Sequence, residues 1–289
     1  MISKKKLIEL YSAMVMCRMI AERAQQLARE GNLSPGLDAG LGREAALAGI
    51  AVDLLPGDTL QTTRAAFVSS FLQGMPLGAL FAGAARWENG HTRENAEPVD
   101  LEGACAAAEE HRISKDGKIV VAFCDAEQTE SKVNPGRWRR SLSLAGRGDL
   151  PVIFVRHFGV RDVDAKTRTR KPSRARQPEA LEFGVPVIYV DGDDVVAMYR
   201  VASESIARAR QRRGPTLIEC IANQRAGSER EGLPESGRSG STDPIAIMEN
   251  HLAGKGLLSR GLRKKITEGF TPELDKATRW LAQSVQLRA

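Results

Sequence analysis

The chain has 289 residues, 42% hydrophobic and 27% charged, enough to bury a full core as one large α/β domain or two modest ones. No apolar run approaches the ~18 residues of a membrane span, and "MISKKKLIELYSAM" turns amphipathic at once, without a secretion pattern; the expected location is cytoplasmic. Net charge is +6, and residues 166–177, "KTRTRKPSRARQ", hold six basic residues and no acid. With aromatics at 5% and no reader motif, that run reads as a solvated loop, not a nucleic-acid surface.

In chain order, residues 4–30 place Leu7, Leu10, Tyr11, Met14, Val15, Met19, Ile20 and Ala24 at helical spacing, ending at Gly31. "EAALAGIAVDLL" (44–55) predicts a second helix, stopped by Pro56-Gly57-Asp58. "AFVSSFLQG" (66–74) and "PLGALFAGAA" (76–85) predict two short helices, and residues 86–100 a polar loop. "LEGACAAAEEHR" predicts a small-residue helix suited to close packing on a sheet. "KIVVAF" (118–123), "PVIFV" (151–155), "VPVIYVDG" (185–192) and "PTLIECIA" (215–222) read as strands of a parallel sheet buried on both faces. "WRRSLSLAG" and "DVVAMYRVASESIARARQRRG" supply the helices between them, and residues 243–254 and 256–284 close the chain as helices. The expectation is a single unit over 1–289: a helical part at 4–112, a sheet-forming part at 113–228 and a C-terminal helical tail at 229–289. The fold class is a doubly wound, mostly parallel α/β sheet with a helical N-terminal wrap and C-terminal helices. The four cysteines, Cys17, Cys105, Cys124 and Cys220, lack metal-type spacing and read as reduced core thiols.

The stretch that raises a chemical question is "VAFCDAEQTESKVNPGRW" (121–138). An apolar strand runs into Asp125, where an acid can hold a metal beyond the carboxyl ends of a parallel sheet. Its neighbours are Cys124 and Ala126, where a tight phosphate-approaching turn wants glycine. Two readings stand for Asp125: a cap of the following turn, or a ligand of Mg²⁺, which often takes only one or two carboxylates.

With "LIELYSAMVMCRMIAERA", "GREAALAGIAVDLLPGDT", "LPVIFV", "VDGDDVVAMYRVASESIARARQRRGPTLIE" and "STDPIAIMENHLAGKGLL" in this order, the chain resembles the α-type subunit of thiamine-diphosphate-dependent 2-oxo-acid dehydrogenases, of which pyruvate dehydrogenase is the best-known member. The resemblance implies the thiamine-diphosphate-binding fold. It also implies a site in which Gly-Asp-Gly and a later Asn-Asn hold the Mg²⁺ that bridges the diphosphate. Asp125 stands at that Asp without either glycine, and Phe158 and Gly159 fall on the Asn positions. The family's Arg-x-His-Gly keeps its Arg as Arg64, but Ala66 and Phe67 replace His and Gly; Ser228 stands for the His of Gly-His-Ser. The covering glycine-rich stretch is shortened to residues 86–103. None of the four histidines, His91, His111, His157 and His251, matches a family catalytic position, and imidazole is the usual acid-base group near neutral pH. No catalytic residue is therefore assigned.

The residual cofactor contacts are Asp125 and Arg64, with Asp125 as the residual metal ligand. Cys124, Asp125 and His157 lie at neighbouring strand ends and make a candidate transition-metal set; the plain alternative for His157 is a satisfied or exposed side chain. Arg64 and Arg156 suit either anion contact in the old pocket or surface ion pairing. Two functions follow from the resemblance. In the first, the chain has lost thiamine diphosphate and Mg²⁺ and is a non-catalytic scaffold or regulatory subunit, forming a homodimer or pairing with a β-type chain. In the second, it is an active oxidoreductase that decarboxylates a 2-oxo acid together with a β-type subunit.

Overall fold

The structure is a computed structural model that describes residues 2–33, 40–62, 68–85, 99–129, 136–158, 179–221 and 243–286. Helix α1 (Lys4–Arg29) starts at Ser3, whose hydroxyl accepts from the Lys6 N–H, and buries the predicted stripe of Leu7, Leu10, Tyr11, Met14 and Ile20. Helix α2 (Glu44–Ala51) is buried along its whole length. It ends earlier than the apolar pattern implies, because the chain must turn through Pro56 and Gly57 into β1 (Thr59–Thr62). Strand β1 is an addition to the sequence reading: Thr-Leu-Gln-Thr is short and offers one buried residue, Leu60, so it carries no apolar run to recognise. It nevertheless joins the sheet as an edge strand beside β2, although its position falls in the stretch read as helical.

Helices α3 (Val68–Leu72), α4 (Leu77–Ala85) and α5 (Leu101–Ser114) follow, then β2 (Val120–Asp125), α6 (Ala126–Thr129), α7 (Arg137–Arg147) and β3 (Val152–Phe158). The chain continues through α8 (Glu179–Glu182), β4 (Val187–Asp191), α9 (Val195–Arg210), β5 (Thr216–Ile221), α10 (Pro244–Gly254) and α11 (Leu262–Gln286). The strands form one sheet in the order β1-β2-β3-β5-β4, with every pairing parallel. Both faces are covered, which is why the strands read as unbroken apolar runs. Val121, Phe123, Ile153, Val155, Ile218 and Cys220 pack with α2 and α9. Val120, Ala122, Cys124, Phe154 and Leu217 face α5 and α7 on the other side. Helices α1 and α10 lie outside α2, and α4 and α11 pack on the far half of α1. The doubly wound α/β class, with a helical wrap before the sheet and helices after it, holds.

Candidate functional site at the carboxyl ends of the strands

The register places Asp125 beside His157 and His157 beside Cys220 at the carboxyl ends of β2, β3 and β5. These side chains share the face that packs on α2 and α9. Helix α2 points its N-terminus at them, and its cap residue, Arg43, delivers a guanidinium: Arg43 Nη2 lies 3.2 Å from Asp125 Oδ1, with the two side chains 4% and 12% exposed. His157 brings Nδ1 to 3.7 Å from the same oxygen and is 2% exposed; that is electrostatic contact beyond hydrogen-bond length. Its ring stacks on Phe123 with centroids 6.0 Å apart, which fixes the imidazole over the strand. The charge of Arg43 reaches Cys220 as well. Burial, then Asp193 and Asp191, push that thiol up, while Arg43 opposes them. Arg43 thus stands among the acids at the ends of β2 and β4.

A cation at a helix N-terminus is unfavourable, because the dipole there is already positive. Glu44, at the first position of α2, is buried; its Oε1 accepts from the Gly42 N–H at 3.0 Å and from the Arg18 guanidinium, which also reaches Asp243 Oδ1 at 2.8 Å. Asp125 supplies the compensating carboxylate for Arg43 from the sheet. The acid at the strand end and the buried helix start are therefore joined through Arg43.

On the opposite face of the sheet, Arg156 is held by Glu219, with Nε–Oε2 at 3.1 Å and Nη2–Oε1 at 2.8 Å. The guanidinium lies 4.8 Å from the Phe158 ring and 5.5 Å from that of Trp138. Arg156 is thus paired within the protein, in a part-buried aromatic setting instead of at the open surface. Cys124 also faces this side, its thiol directed to the Val155 carbonyl at 3.6 Å. Alternation along β2 separates Cys124 from Asp125 and His157, and no cluster of three metal-ligating side chains occurs among the described residues. The candidate transition-metal set is not assembled.

Arg64, Ala66, Phe67, His91, Gly159 and Ser228 lie outside the described residues. His111 sits far along the chain order of α5, 3.0 Å from Asp116 Oδ2, and His251 is in the last turn of α10. Sequence reasoning singled out Asp125 but not Arg43. The available signal was an arginine immediately before "EAALAGIA", a segment too apolar to leave a neighbouring charge unpaired.

A parallel sheet wrapped on both faces, with acid, imidazole and guanidinium at its carboxyl ends, defines a doubly wound α/β fold with its candidate site at the strand ends. The family model described as "Dehydrogenase E1 component" matches residues 11–287, and the chain belongs to that family. It is similar to the chloroplastic pyruvate dehydrogenase E1 component subunit alpha-3 of Oryza sativa, at 24% identity over 96% of this chain and 72% of that protein. It is also similar to the 3-methyl-2-oxobutanoate dehydrogenase subunit alpha of Mycobacterium tuberculosis, at 28% identity over 89% of this chain and 73% of the relative. Among solved structures, a transketolase mutant from Pichia stipitis superposes with a TM-score of 0.53 at 15% identity, covering 97% of this chain. This chain spans about half, 48%, of that transketolase chain, and the likeness concerns the fold.

Among the described residues, the strand ends do not suit the Mg²⁺-diphosphate that the family implies. Mg²⁺ requires near-octahedral oxygen ligands at about 2.1 Å. Asp125 Oδ1 already faces the Arg43 guanidinium, and a metal on that oxygen would bring two cations together in a buried place. The side chain paired with Asp125 across the register is an imidazole, His157, which offers no oxygen, and Phe158 at the end of β3 turns to the other face.

Proposed function

We propose that this chain is a non-catalytic α-type member of the dehydrogenase E1 family, a scaffold or regulatory subunit that keeps the fold without thiamine diphosphate and Mg²⁺. The observation that carries the reading is the Arg43–Asp125 ion pair at the position where a metal ligand would be needed. Fold alone does not decide activity; the commitment of Asp125 to a guanidinium, with an imidazole as its register neighbour, supports the non-catalytic reading. The relatives are named as alpha subunits. That supports a role in assembly, with a second copy of the chain or a β-type dehydrogenase subunit as the partner, in the cytoplasm.

The test is calorimetric titration of thiamine diphosphate with Mg²⁺ into the purified chain. Absence of heat at millimolar cofactor is the expected result. Micromolar binding would overturn the reading and favour the alternative, an oxidoreductase that decarboxylates a 2-oxo acid with a β-type subunit.

A further inference from the structure

The loss of oxygen ligands explains why a metal would bind poorly, but not why Asp125 is still there. A carboxylate 12% exposed at the end of a buried strand is costly to keep ionised without a compensating charge. Three features of the structure supply that charge from one residue. Arg43 is 4% exposed and its Nη2 lies 3.2 Å from Asp125 Oδ1. It caps a helix whose eight residues are all buried, so the guanidinium is carried on a rigid element and not on a mobile surface stem. The adjacent acid, Glu44, is occupied at Oε1 by Arg18 and the Gly42 N–H, so it does not draw Arg43 away from the sheet.

We propose that the Arg43 guanidinium is the permanent counter-ion of Asp125, standing where the family's divalent cation would bind, so that this strand-end carboxylate is neutralised without a metal. This inference rests on the reading that Mg²⁺ binding is lost and names the residue that replaces the ion. A guanidinium suits the task because it is always charged and its planar fork matches a carboxylate. In this role Asp125 is retained as the anchor of Arg43, joining β2 to the N-terminus of α2.

The test is a double-mutant cycle on the full chain with Arg43→Met and Asp125→Asn, read by thermal unfolding with EDTA and with millimolar MgCl₂. Each single variant strands one buried charge or donor and is expected to lower Tm by several degrees. The double variant is expected to lose clearly less than the sum. The Tm of the unaltered chain should be the same with EDTA as with Mg²⁺. If Arg43→Met does not fold, the cycle is run with Arg43→Lys, which keeps the charge and should retain a smaller coupling of the same sign. Additive losses, or a Tm raised by Mg²⁺ in the unaltered chain, would overturn the inference. The two readings fail separately. Thiamine diphosphate binding without Mg²⁺, abolished by Arg43→Met, would keep the counter-ion and overturn the loss of cofactor. An additive cycle in a chain that binds no cofactor would do the reverse.

Discussion

Glu219 shows how strongly single side chains are committed in this sheet. It is 3% exposed on β5 and receives both nitrogens of Arg156 across the strand register. Glu219→Ala would take the paired carboxylate from a guanidinium half-enclosed by Phe158 and Trp138. The expected loss is about 3 kcal/mol, the low end for a broken buried pair, because Arg156 keeps some contact with water; urea denaturation measures it. Asp100 is a milder case. The Gly103 N–H first, helped by Arg137, holds its carboxyl below the usual carboxylate range against desolvation, which opposes them. A depressed folded value means that the ionised form stabilises the native state above the unfolded carboxylate pKa of about 3.9 and that this contribution fades as pH falls through the lower folded value. Asp100→Ala, which removes the cap of α5, should cost about 1 kcal/mol at neutral pH. The stability gap between the unaltered chain and Asp100→Asn should close below about pH 4, as seen in denaturation curves across acid pH. The four thiols are all buried. Burial pushes Cys105 up to about 12 and the other three higher. The thiolate is the reactive form, so a thiol reagent should label none of the four in the native chain and all of them after unfolding.

At the scale of elements, two glycines mark where helices come closest. A Cβ on Gly49 of α2 would lie 2.6 Å from the Met198 Cβ of α9, inside the layer that covers the Asp125 face. Gly49→Ala should force α2 away from α9 and cost about 1–3 kcal/mol, the range for overpacking. It should also loosen Arg43, which rides on the same helix. A Cβ on Gly146 of α7 would run into the Phe183 carbonyl, a backbone atom that cannot swing aside, so Gly146→Ala should be at least as damaging. Thermal unfolding of the two variants measures both effects. These contacts bear on what could be read in advance. Helices α1, α5, α7, α9 and α10 and strands β2 to β5 were foreseeable because each carries its own period, a long amphipathic stripe or an unbroken β-branched run. Strand β1 was not, since four residues with one buried side chain carry no period. Its strand identity comes from pairing with β2, from Thr59 beside Val120 to Thr62 beside Phe123.

For the whole molecule, the sheet places acid, imidazole and guanidinium at one end, and Arg210 with Asp58 at the other, where α9 ends and β1 begins. No helix of the described residues is long and apolar enough to cross a membrane. Anything that binds the native state raises its stability with the logarithm of one plus ligand concentration over Kd. Thiamine diphosphate with Mg²⁺ should therefore leave Tm unchanged, whereas a true assembly partner should raise it with concentration; differential scanning fluorimetry separates the two. The layered α/β class, the family and the special standing of Asp125 are all local or serial properties, carried by periodicity, by the order of segments and by an acid at a strand end. The partner of Asp125 is of another kind. Arg43 stands far before it in the chain, and only the packing of α2 on the sheet brings the two within reach. The separation of Cys124 from His157 likewise depends on which face each residue takes once the strands are in register. Side-chain charge and type are written residue by residue, but which charges neutralise each other in a buried place is decided by the tertiary fold, because desolvation and Coulomb attraction act through space and not along the chain.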